Sequence, residues 1–130
     1  INETLEVLEM DGSDLSTISA KDLYDFIASH SVIRRVKFVD CSLHTFPDIR
    51  SVRSTDNVHV DLRRNPLACD CRLGWVKDQP SVILDYNELT CSSPSHLEGK
   101  FIKDLTLSDI CPGMTILQLF YILKQNLTTQ

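Results

Sequence analysis

The residues able to do chemistry are few: five cysteines and four histidines in 130 residues. Cys69 and Cys71 stand one residue apart in "NPLACDCRLGW", Cys91 and Cys111 follow, and Cys41 lies alone upstream. Three chemistries compete for the last four cysteines. A zinc site would use four thiolates, or three with His96, but zinc spacings favour C-x2-C, and C-x-C serves one tetrahedron poorly. A redox pair would be C-x-x-C near a βαβ unit, and neither is present. The third chemistry is a disulfide framework, for which spacing alone leaves three pairings open. His30, His44, His59 and His96 do not stand beside cysteines or carboxylates at metal-ligand spacing on one helix face. G-x-S-x-G, H-E-x-x-H and a glycine-rich phosphate loop are missing too, so the sequence points to no catalysis, metal or cofactor.

The elements that must carry these residues are those of one domain, or of a piece of a larger one. A net charge of -5 argues against nucleic acid and anionic membrane as partners. Charge is unevenly spread: residues 1–30 hold seven acids and one lysine, whereas residues 31–80 hold nine basic residues against six acids. The longest apolar run, "MTILQLFYIL" at 114–123, would reach roughly half of a ~30 Å hydrocarbon core as a helix, so it predicts no membrane span.

A repeat organises the first half. "LEVLEMDGSDLSTI" aligns with "IRRVKFVDCSLHTF" at a period of 28, matching Leu5 with Ile33, Leu8 with Val36, Met10 with Phe38, Leu15 with Leu43 and Ile18 with Phe46. A partial third copy places Val60, Leu62 and Asn65 where Val36, Phe38 and Cys41 stand. Each copy follows L-x-x-L-x-L-x-x-N/C-x-L, the leucine-rich repeat pattern. The L-x-L core predicts a short strand with alternate side chains inward. Ser13, Cys41 and Asn65 take the turn position, where a side chain must satisfy buried backbone or be small, so Cys41 is expected as a buried free thiol. Between the first two strands, Ala20, Leu23, Tyr24 and Ile27 fall at helical spacing behind Ser19, a candidate cap. "PDIRSVRSTDN" has no such stripe and predicts an irregular segment.

A solenoid needs an end cover, and here the sequence resembles a known module. Asn65-Pro66, Cys69-x-Cys71, Trp75, Cys91, Pro94, Leu97, Gly99, Leu105 and Cys111 are similar to the cysteine-rich C-terminal flanking domain of extracellular leucine-rich repeat proteins. That resemblance implies Cys69–Cys91 and Cys71–Cys111 bridges, an oxidising compartment and Trp75 sealing the last repeat. It also implies a secreted or cell-surface location and an extracellular protein ligand. The expected fold is α/β: a short right-handed leucine-rich repeat solenoid, with parallel strands on the concave face and helix or irregular segments on the convex one. Residues 4–64 would form two complete repeats and a partial one, 65–112 the cap and 113–130 an extension. Two sequons, at Asn2 and Asn126, are candidate glycosylation sites. With so few repeats and no cysteine-rich N-terminal cap, the chain reads as the C-terminal piece of a longer ectodomain or an unusually short member.

The outward positions then form three rows: Val7, Arg35, His59; Glu9, Lys37, Asp61; Asp11, Val39, Arg63. The middle row alternates in sign and should neutralise itself. Arg35, His59 and Arg63, with Val39 and Val7 beside them, are the expected recognition surface for an acidic partner, lightly countered by local acids. Reversing Arg35 and Arg63 should therefore weaken binding with little change in folding. The alternative function is a capping or oligomerisation element, pairing through the open N-terminal edge or the 114–123 segment.

Overall fold

Leu8, Val36 and Val60 each sit at the centre of a three-residue strand: β1 (Val7–Glu9), β2 (Arg35–Lys37) and β3 (His59–Asp61). The computed structural model describes residues 5–30, 32–50 and 58–113. The strands form one parallel sheet in the order β1-β2-β3, with Leu8 opposite Val36 and Val36 opposite Val60. Because side chains alternate along a strand, that register sends the three central residues inward and their neighbours outward. Val36 and Val60 are fully buried. An isolated parallel bridge from Val60 to Ile83 carries the ladder one step into the cap.

Helix α1 (Ala20–Ser29) connects β1 to β2. Its first turn is capped by Ser19, whose hydroxyl accepts from the Asp22 N–H at 3.0 Å, satisfying a donor the helix leaves open. Leu23 and Ile27, one turn apart, are its buried residues. Residues 47–50 form neither helix nor strand. The rest of that irregular stretch lies outside the described residues, as do Asn2, Asn126 and the 114–123 segment.

After each strand the chain turns through a residue with positive φ: Gly12 (76°), Asp40 (57°) and Arg64 (60°). Asn65, just past the third of these turns, ties two repeats together. Its Oδ1 accepts from the Cys41 and Leu43 N–H groups at 2.8 and 3.1 Å. Its Nδ2 donates to the Phe38 and Leu62 carbonyls at 2.7 and 2.9 Å. Buried backbone that no strand can pair is thereby satisfied. Cys41 is free and buried, its thiol donating to the Met10 carbonyl at 2.8 Å. Burial pushes that thiol's pKa up, which suits a structural residue better than a nucleophile.

Ile33, Phe38, Leu43 and Phe46 fill the core below β2 and are almost completely covered. Their counterparts in the first repeat, Leu5, Met10, Leu15 and Ile18, fare differently: the first three are half-buried and Ile18 is exposed. A leucine-rich repeat buries its apolar face only between neighbours, and β1 has a neighbour on one side among the described residues.

At the other end the cap closes the core. A 3-10 helix spans Cys71–Val76, started by Asp70, whose carboxylate accepts from the Arg72 N–H at 3.0 Å. It sets Trp75 over the second repeat, where the indole N–H donates to the Phe46 carbonyl at 3.0 Å. The Arg50 guanidinium lies 5.9 Å from the Trp75 ring, a cation–π contact on the outer side. Helix α2 (Leu107–Ile110), begun by a reciprocal Thr106–Asp109 capping box, delivers Cys111 to Cys71. The Cys69–Cys91 and Cys71–Cys111 bridges span 22 and 40 residues. Chain entropy credits loops of this size with roughly 3–4 kcal/mol each.

Candidate functional site

Three adjacent strands give the outward side chains fixed places about 4.8 Å apart. The first row is Val7–Arg35–His59 and the second Glu9–Lys37–Asp61, as the ladder register sets them. Asp11, Val39 and Arg63 lie past the strand ends, on the way into the positive-φ turns. There they line an open bowl of about 400 Å³ with Lys37 and Arg64.

The charges pair differently from the alternation expected along the middle row. Lys37 reaches across rows to Asp11 at 2.9 Å. Asp11 also accepts from the Val39 N–H at 3.0 Å. Lys37 first and that N–H second hold the Asp11 carboxyl below its ordinary pKa. Asp61 turns to Arg63, two residues on, which grips both its oxygens at 3.0 and 2.9 Å. Asp61 is almost completely buried beneath that guanidinium.

Arg63 therefore needs correction as a lightly countered binding residue. Besides Asp61 it faces Asp85 at 3.3 Å and Glu88 at 4.0 Å, both supplied by the cap. These carboxylates, Asp61 foremost, raise its already high pKa further. The reason is tertiary: the cap folds back over the end of β3 and brings two acids from over twenty residues away. Arg63 clamps solenoid to cap, so reversing its charge is no clean surface probe. Val39, likewise, is half-buried with its N–H committed to Asp11.

Arg35 stays available. It is exposed on β2 and has no ion-pair partner among the described residues. Its neighbour Arg34 is taken by Glu6 at 3.4 Å. Across the ladder, half-buried His59 has a fully buried Nδ1 without a hydrogen-bond partner. Val7, 37% exposed, ends the row as an apolar shoulder. A second concavity of about 290 Å³ opens on the flank between the loops of the first two repeats, lined by Leu15, Ile18, Leu43, Phe46 and Arg72. No group of three or more His, Cys, Asp or Glu side chains placed to hold a metal ion occurs among the described residues.

Reading by rows missed the Asp-x-Arg chelates. Asp48/Arg50, Asp61/Arg63 and Asp70/Arg72 repeat one local device. The aspartate accepts from the arginine's own backbone N–H at 3.0, 3.2 and 3.0 Å and from its guanidinium. Three D-x-R triplets were a signal available in the sequence.

The parallel ladder, the Asn65 turn and the two-bridge cap define the architecture, and the chain is similar to known proteins. A phospholipase A2 inhibitor of Gloydius brevicaudus siniticus is 38% identical over 64 residues, covering 46% of this chain and 19% of the relative. Protein toll of Drosophila melanogaster is 31% identical over 134 aligned residues, covering 85% of this chain and 12% of the relative. The chain has the leucine-rich repeat fold, closed by a disulfide-bonded C-terminal cap. The crystal structure of human 5T4, a trophoblast glycoprotein, shares the fold with a TM-score of 0.59 at 16% identity, over 83% of this chain and 47% of that one. No family model matches the chain. The leucine-rich repeat chain spans less than a fifth of the length of these two relatives.

Proposed function

We propose that this leucine-rich repeat chain is a non-catalytic recognition module that binds an extracellular protein partner through the concave face of β1–β3. The carrying observation is Arg35, a cation on a rigid strand whose charge no neighbour among the described residues neutralises. Unpaired charge on a strand steers a complementary partner and fixes its register. The likeness to a phospholipase A2 inhibitor, a protein named for acting on another protein, supports the reading. The test is an array of extracellular proteins probed with the wild type, Arg35→Glu and a convex control, Lys21→Glu. Arg35→Glu should weaken the partner by about tenfold or more, ~1.4 kcal/mol, and the control should not. Loss of binding in the convex variant alone would overturn the concave assignment.

A second reading, an assembly element, is favoured by the half-buried Leu5, Leu8, Met10 and Leu15 at the β1 edge. It predicts self-association that Leu8→Glu abolishes, measured by sedimentation; a monomer at all concentrations would remove it.

A further inference from the structure

Arg35 and His59 are direct ladder partners on β2 and β3. Val36 and Val60 beside them point fully inward, so the two polar side chains leave the same face of the sheet. The imidazole's surroundings constrain its proton. Nδ1 is buried and makes no hydrogen bond, while the other ring nitrogen, Nε2, is not among the buried unpartnered atoms. A proton on Nδ1 would bury a donor with nothing to receive it. A proton on Nε2 leaves the donor on the accessible side of the ring. His59 then presents an N–H outward, one strand spacing from a guanidinium without an ion-pair partner among the described residues.

We propose that Arg35 and His59 Nε2 form a two-donor grip for a carboxylate of an acidic protein segment, a proposal that rests on the concave reading above. The carboxylate takes a charge-assisted hydrogen bond from Arg35 and a second hydrogen bond from His59. Val7, the third member of the row, gives the acid's aliphatic stem an apolar shoulder. Most of the neighbouring charges among the described residues are occupied. Lys37 is held by Asp11, Asp61 by Arg63, and Arg34 by Glu6. Glu9, the remaining acid on these strands, is paired in register with Lys37 and sits one row away from Arg35.

The experiment is long-range 1H–15N NMR on the labelled, oxidised full chain, titrated with a blocked hexaglutamate peptide, its hexaglutamine counterpart and inorganic sulfate. The free protein should show His59 with its proton on Nε2. Hexaglutamate should shift the His59 Nε2 and Arg35 Nε signals, and hexaglutamine should not. Arg35→Gln should weaken hexaglutamate binding by about tenfold or more. His59→Gln, which can still donate from a similar reach, should retain more affinity than His59→Leu. A proton on Nδ1 would overturn the grip, as would sulfate binding as well as hexaglutamate. If the peptide shifts amides along β1–β3 but leaves Arg35 and His59 unmoved, the grip falls and concave recognition stands. Shifts confined to α1 or the cap would remove the concave reading itself.

Discussion

Two residues show how a single side chain does work that strands cannot. Asn65 satisfies two N–H groups and two carbonyls spread over two repeats. Asn65→Leu would keep the volume and orphan those groups, each costing about 1–3 kcal/mol when buried. Its unfolding free energy in urea should therefore fall by about 3 kcal/mol or more. Arg63 is the second case. Removing it leaves Asp61 as a buried carboxylate without its guanidinium, whereas removing Arg35 strands nothing. Arg63→Gln should lower the melting temperature clearly and Arg35→Gln should leave it nearly unchanged. Equal melting for both would mean that the Arg63 clamp contributes nothing to folding.

The repeats are equivalent in pattern but not in burial, and that difference belongs to the element. Leu15 and Leu43 hold the same place 28 residues apart, yet Leu43 is 3% exposed and Leu15 is half-buried. A buried leucine truncated to alanine costs about 2–5 kcal/mol, part of it from the cavity left behind. Leu43→Ala should fall in that range, and Leu15→Ala should cost well under half as much, because its site is already partly wet. Paired urea titrations of the two variants measure it. A similar cost at both positions would show that the first repeat is covered in solution by something that supplies a neighbour.

At the scale of the whole molecule, aspartates at the joints set the response to acid. Asp11 is held below its ordinary pKa chiefly by Lys37, Asp70 chiefly by Arg72 and Asp109 chiefly by the Thr106 N–H. A carboxylate whose pKa drops on folding stabilises the fold fully above its unfolded value. That contribution is lost as pH falls through the folded value. The urea midpoint should thus decline from about pH 4 downward, and Asp70→Asn with Asp109→Asn should flatten that decline. An unchanged acid profile in the double variant would assign the sensitivity elsewhere.

The fold class was legible because its signals are local and periodic. The recurring L-x-L pattern specifies which side chains face inward, and it predicts the Leu8–Val36–Val60 register although the loops differ in length. Helix α1 was legible for the same reason, with Leu23 and Ile27 one turn apart behind a serine cap. The resemblance at 65–111 supplied the cap, which periodicity alone could not. Pattern also placed Arg35, Lys37 and Arg63 on one surface, but it could not say which of them is spent. Charge pairing depends on side-chain reach and on turns that bring distant segments together. Lys37 chose Asp11 over its ladder neighbours, and Asp85 and Glu88 arrived at Arg63 only when the cap folded back. Sequence alone therefore determined the solenoid and its faces, since burial follows period. Tertiary structure decided which charges remain for a partner, since a charge is available only when no folded neighbour has claimed it.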